Sequence, residues 1–204
     1  MRTVDPEQHR RRRHEIVEAA VELFARKGLE ATTTADICRA AGISTGRLFH
    51  YFPSKQAVFH ALFELDREEQ DAALAHAAAD PDPWRGLTAV VEHIAAETAS
   101  PLVAGLFVEV VTQAHRDPVV TRLVAEGDQR LVEAVGALVE RLTAAGRADP
   151  GMAPREAARW VLTLAESFYG RGYPEPGRDR DADLATVLEL VARVLRLDAA
   201  RPAP

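Results

Sequence analysis

The sequence has little that could staple the chain or anchor it. Cys38 is the single cysteine, so no intramolecular disulfide and no cysteine-based zinc site can form, which fits a reducing compartment. Long apolar runs are missing. The most apolar stretch, 102–111, is interrupted by Glu109, and nothing approaches the roughly 18 apolar residues of a spanning helix. The first thirteen residues are polar and end in four consecutive arginines, with no apolar segment of a signal peptide behind them. Secretion and membrane insertion are therefore not expected, and the cytoplasm is the expected location. No stretch alternates with the period of two that marks a half-buried strand. There is no phosphate loop, no GxSxG, no HExxH and no nucleophile with an evident base, so no enzyme activity and no cofactor are expected. His93 and His115 lack a second ligand at a diagnostic spacing, and no metal is expected.

What is present is helical patterning in 204 residues, enough chain to bury a real core. Ile16, Ala19, Ala20, Leu23 and Phe24 recur at helical spacing, with Gly28 as a stop after Arg26 and Lys27. Thr33 caps a second helix, with Asp36 three residues on in a capping-box arrangement; it packs through Ile37, Ala40 and Ala41 and ends at Gly42. A third runs from its cap Ser44 to Phe52, and Ser54 caps a long helix carrying Val58, Phe59, Leu62 and Phe63. Further helices are expected near 84–98, 101–114, 118–145, 154–170 and 182–197, with a turn at 80–83, a Pro/Gly-rich loop at 172–177, and frayed ends at 1–9 and 199–204. The fold class is all-α, with an N-terminal three-helix unit, a larger C-terminal helical bundle and about nine helices in total.

The formal net charge of −6 argues mildly against a nucleic-acid partner, but charge is unevenly spread. Through Lys55 there are ten Lys and Arg against seven Asp and Glu; the remainder has fifteen against twenty-four. The basic end also carries a helix-turn-helix pattern, two short helices joined by Ala41, Gly42 and Ile43. At 100° per residue, Leu48 and Phe52 share one face of the second helix, and Gly46, Arg47 and His50 share the other, flanked by Phe49 and Tyr51. Arg47 can offer a bidentate fork to guanine, Gly46 removes a side chain that would hold the helix off a groove, and Thr45 can meet a base edge. Thr33, Tyr51, His50 and Lys55 are candidates for phosphate contacts, as are Arg10 to Arg13. Cys38, beside Ile37, reads as a space-filling residue.

Residues 28–55, GLEATTTADICRAAGISTGRLFHYFPSK, resemble the DNA-binding domain of the tetracycline-repressor (TetR) family. The likeness joins the helix-ending glycine, the Thr-Thr before the second helix, the AAGIS turn, LFHYF and the capped PSK. It implies a two-domain all-α homodimer, usually a repressor, with DNA reading at 1–55 and dimerisation and small-molecule binding at 56–204. By the same resemblance Thr33, Ser44, Thr45, Gly46, Arg47, Phe49, His50, Tyr51 and Lys55 form the candidate DNA-binding set. Ala35, Phe49 and Cys38 depart from the more usual residues at their positions. The expected partners are duplex DNA, a second copy through the last two helices, and a small-molecule effector of unknown identity. Leu184, Val187, Leu188, Leu190, Val191, Val194 and Leu195 make the last helix apolar around much of its circumference, which suggests burial in a partner. Glu166, set among Trp160, Phe168 and Tyr169, would need a partner if buried, at the dimer interface or in an effector site; with Phe107 these are the candidate effector residues. Glu109 falls opposite the face set by Val103, Phe107, Val110 and Ala114 and is expected in solvent. A constitutive dimeric DNA-binding protein without an effector is the alternative.

Overall fold

The computed structural model describes residues 5–97, 100–167 and 179–197, the side chain of Pro101 excepted. Phe168, Tyr169 and the loop 172–177 lie outside the described residues. Those residues hold ten helices and no strand: α1 Pro6–Ala31, α2 Thr34–Ala40, α3 Thr45–Tyr51, α4 Lys55–His60, α5 Leu62–Ala79, α6 Pro83–Glu97, α7 Pro101–Ala114, α8 Pro118–Ala144, α9 Pro154–Glu166 and α10 Arg180–Val194. The all-α expectation is met. The long helix expected after Ser54 is divided at Ala61, where Glu64 N–H bonds back only three residues, to the Ala61 carbonyl at 3.1 Å. The N-terminus is also helical earlier than expected. Asp5 accepts from Glu7 N–H at 3.0 Å and Pro6 opens the helix, so the frayed stretch does not reach His9.

Packing divides the chain into two compact units, Met1–Glu69 with Leu102–Val124, and Gln70–Pro101 with Ala125–Pro204. The first unit is built on α1. Ile16, Val17, Ala20, Phe24 and Leu29 are buried from it, and Phe24 meets Phe59 of α4 edge-on with ring centroids 5.2 Å apart. Ile37, Cys38, Leu48, Phe52 and Val58 complete that core, joined by Val120 and flanked by Leu106 and Val110. Cys38 fills space in it, as expected. Ala40 does not; it is exposed, and Cys38 takes the inward position. The N-terminal three-helix unit therefore shares its core with a segment from beyond residue 100.

The second unit packs α6, the later part of α8, α9 and α10 around Leu87, Val91, Val135, Val139, Leu142, Val161, Val191 and Leu195. Arg141 donates to the carbonyls of Ala78 and Asp80 at 3.0 and 2.7 Å, supplying donors at the C-terminal end of α5. Asp80 takes the Arg85 guanidinium at 2.6 Å and Asp82 that of Arg147 at 2.6 Å, and each arginine holds its carboxyl below the usual range.

Gly86 permits the closest approach in this unit. A Cβ there would stand 2.4 Å from the Ala77 carbonyl oxygen, a backbone atom that cannot swing aside. Gly86→Ala should destabilise by about 1–3 kcal/mol despite its better helix propensity. At Gly127, also helical, a Cβ would meet nothing nearer than 3.8 Å, and Gly127→Ala should stabilise by about 0.4–1 kcal/mol. Urea denaturation of the two variants checks both signs.

Candidate nucleic-acid interface

The turn between α1 and α2 is held by side-chain contacts to several of its backbone groups. Gly28 adopts φ 77°, a left-handed conformation that ends the regular helix. Thr32 is fully buried, and its hydroxyl donates to the Gly28 carbonyl at 2.7 Å. The Lys55 ammonium donates to the carbonyls of Leu29, Glu30 and Thr32 at 2.7, 2.8 and 3.0 Å. Leu29 N–H donates to Glu109 Oε1 at 3.0 Å. Glu109, expected in solvent, is instead half-buried against this turn and also accepts from Gln113 Nε2 at 2.8 Å. Of the face expected to point inward on α7, Val110 and Ala114 do pack on the core, but Phe107 is 39% exposed and Glu109 is turned toward Leu29 instead of solvent.

Thr33 then caps α2 in a complete capping box. Its hydroxyl accepts from Asp36 N–H at 3.1 Å, and Asp36 Oδ2 accepts from Thr33 N–H at 3.0 Å. Asp36 also pairs with Lys27 at 2.6 Å and Arg39 at 3.2 Å. The Lys27 ammonium first, and the Thr33 hydroxyl and N–H after it, hold its carboxyl well below the ordinary value.

The chain reverses through Gly42, at φ 62°, and Ser44 caps α3 by accepting from Arg47 N–H at 3.3 Å. α3 divides cleanly. Leu48 and the following Phe52 are each 1% exposed, whereas Thr45, Gly46, Arg47, Phe49 and His50 face solvent. A Cβ on Gly46 would meet nothing within 4 Å, so this edge of the helix is unobstructed. The Arg47 side chain has no partner among the described residues. Tyr51 is half-buried, with His50 edge-on to its ring at 5.0 Å and His9 tilted against it at 4.8 Å between centroids.

One residue near this face, His9, was not singled out by the sequence, and two, Arg13 and Lys55, were assigned a different task there. His9 joins the aromatic cluster with Tyr51. Arg13 donates to the Tyr51 carbonyl at 3.1 Å, pairs with Glu64 at 3.0 Å and lies 4.3 Å over the Phe52 ring, which pins α1 to the end of α3. A signal was available: Arg13 sits three and seven residues before Ile16 and Ala20, on the inward face. Arg12 pairs with Glu15, while Arg10 and Arg11 are exposed. Lys55, a candidate phosphate ligand, has all three N–H groups aimed at carbonyls.

Of the effector candidates, Glu166 lines a cavity of about 40 Å³ in the second unit, with Gln70, Leu74, His93, Glu97 and Leu131. Burial, and Asp128 after it, push its carboxyl upward although the residue as a whole is exposed. Phe107 and Trp160 do not line this cavity. Among the described residues no group of three or more His, Cys, Asp or Glu could hold a metal, and no single helix is long and apolar enough to cross a membrane.

The pattern of bacterial regulatory proteins of the tetR family matches residues 16–62, the span just described. This N-terminal domain belongs to the tetR family. Its relatives include the transcriptional repressor KstR2 of Rhodococcus jostii, 51% identical over 47 residues, 23% of each chain. The chain thus spans about a quarter of that relative. It is 27% identical over 156 residues to the transcriptional regulator UidR of Escherichia coli, covering 74% of this chain and 76% of that one. The fold of the fatty acid degradation regulator FadR from Bacillus halodurans is similar, with TM-score 0.77, 20% identity, and coverage of 92% and 97%. The tetR-family match ends at residue 62, so it includes the turn, both caps and Lys55 but not Glu109.

Two outcomes test the polar frame of this domain. Lys55→Met should lower stability by about 1–3 kcal/mol in urea denaturation, because buried carbonyls lose their donors. Asp36, with its pKa depressed from 3.8, contributes stability that is present above that value and is lost as pH falls through the folded pKa. Asp36→Asn should therefore lower stability at neutral pH and flatten the acid limb of the stability profile below about pH 4.

Proposed function

We propose that the protein is a sequence-specific DNA-binding transcriptional regulator, a repressor that a small-molecule effector releases from a pseudo-palindromic operator. One observation carries this reading. On α3 the exposed edge bears Arg47 without a partner beside an open Gly46, while Leu48 and Phe52 anchor the opposite edge. A helix so anchored can enter a major groove and present a guanidinium to guanine O6 and N7. Thr45 stands at the same helix start, and Thr33, Ser44, Phe49, His50 and Tyr51 surround it for backbone contacts. With Lys55 committed to carbonyls, phosphate neutralisation falls to Arg10 and Arg11 and to the N-termini of the helices.

Residues 1–55 are assigned to DNA reading and 56–204 to dimerisation and effector binding, in a cytoplasmic homodimer built through α9 and α10. Trp160, 53% exposed on α9, and Leu190, 38% exposed on α10, support that pairing. The rest of the apolar circumference of α10 is largely accounted for within the protomer, through Val187, Val191, Leu195 and the flanking Leu184 and Leu188. A dimer reads two half-sites at a set separation, so an effector that favours another separation weakens binding.

One observation favours the alternative of a constitutive dimeric DNA-binding protein. The cavity at Glu166 is about 40 Å³, with aliphatic and polar walls that include no Phe, Tyr or Trp, below the ~300 Å³ of a typical ligand pocket. A metabolite screen against the protein–DNA complex separates the two, since only the repressor reading expects release.

Selection from a random duplex pool followed by footprinting should return a pseudo-palindrome, and protection of one unsymmetrical site by a monomer would sink this reading. Arg47→Ala should cost about 1–3 kcal/mol in affinity and relax specificity at one base of each half-site.

A further inference from the structure

The segment 102–124 belongs to the same compact unit as the DNA-reading helices, and Glu109 gives it a polar hold on the turn before α2. Two contacts four residues apart align α7 with the end of α1. At Gly105 a Cβ would stand 2.4 Å from the Ala25 carbonyl oxygen, so the backbones touch there. Glu109, one helical turn later, accepts from Leu29 N–H, one turn after Ala25. At Gly28 a Cβ would stand 2.8 Å from Glu109 Oε2, so the carboxylate occupies the space that any other residue would fill. Gln113, 4% exposed, donates to the same carboxylate oxygen, Oε1, at 2.8 Å. Every other polar contact described for this turn, from Thr32 and from Lys55, comes from residues 1–55.

We propose that Glu109 is a positioning residue for DNA binding: its carboxylate on Leu29 N–H sets the pose of the Gly28–Thr32 turn, and through Thr33 that of α2 and α3, so that α7 governs how the reading face is presented. This rests on the DNA-binding reading above. Leu29 is 2% exposed, so its N–H has no solvent to fall back on when the carboxylate withdraws. The turn must then shift or open, and Thr33, the cap of α2, shifts with it. Anything that moves α7 by more than the length of a hydrogen bond is thereby reported to the reading helices, without contact between the mover and α3 itself.

The test uses the full chain and a duplex that the wild-type protein selects from a random pool. Glu109→Gln keeps an acceptor of the same reach and should bind within about twofold of wild type. Glu109→Leu removes the acceptor, and Glu109→Asp withdraws it by one methylene. Both should weaken binding on the order of tenfold and speed hydrogen exchange at the Leu29 amide by a similar factor. A purely structural role would lower the melting temperature and the active fraction alone. Mis-positioning also lowers the slope of log affinity against log salt, because fewer phosphates are met at once. If Glu109→Leu fails to fold, Glu109→Asp decides. Wild-type affinity and salt slope in the folded fraction of either variant, whatever happens to Leu29 exchange, would overturn the proposal. A wild-type protein that selects no duplex overturns the DNA-binding reading itself, an outcome distinct from variants that bind as tightly as wild type.

Discussion

A helix that stops inside a protein leaves carbonyls without donors, and in this molecule the supply of those donors is what the reading domain is built on. Gly28 ends regular α1, and within five residues Thr33 opens α2 at a new direction. Five backbone groups in that interval are bonded by side chains: the Gly28, Leu29, Glu30 and Thr32 carbonyls by Thr32 and Lys55, and the Leu29 N–H by Glu109. A point charge with three donors suits carbonyls converging from several directions better than a planar guanidinium does, and Lys55 is one of only two lysines in a chain with 23 arginines. Arg141 does comparable work just after α5, where its fork reaches the carbonyls of Ala78, Asp80 and Pro81.

Much of this was legible from residue order. Helix periodicity, the glycine stops and the Ser/Thr caps follow from local backbone chemistry, and Thr33, Ser44 and Ser54 all cap where they were expected. The two faces of α3 were legible for the same reason, because Leu48 and Phe52 lie one turn apart and have no apolar rivals for the core beyond the exposed Phe49. α7 was not. It is apolar nearly all round, with Phe107, Val108 and Val111 outward and Leu106 and Val110 inward, so a wheel of its residues offers no polar face to mark the outside. The inward choice is made by a residue 80 positions earlier in the chain, a pairing that local spacing does not encode.

Charge was the least legible property of the site. Counting cations up to Lys55 suggests a basic end, but pairing decides what remains available. Lys27 and Arg39 are held by Asp36, Arg13 by Glu64 and a carbonyl, and Arg12 by Glu15. Arg47, Arg10 and Arg11 stay exposed. On the proposed DNA-binding reading, a face with so few uncommitted cations among the described residues would draw less of its affinity from phosphate neutralisation and more from contacts of α3 in the groove.

The interior of the second unit differs from the turn at Gly28 in one respect that bears on an effector. Gln70 Oε1 and His93 Nε2 are buried without a hydrogen bond at the cavity that Glu166 lines, and His93 Nε2 is 3.3 Å from Glu97 without alignment. Orphaned polar atoms cost stability wherever they occur. Polar groups kept unbonded around a void are better suited to a partner that comes and goes than to permanent packing. On chemistry, then, the cavity favours a sensor, whereas on volume it favours a closed bundle.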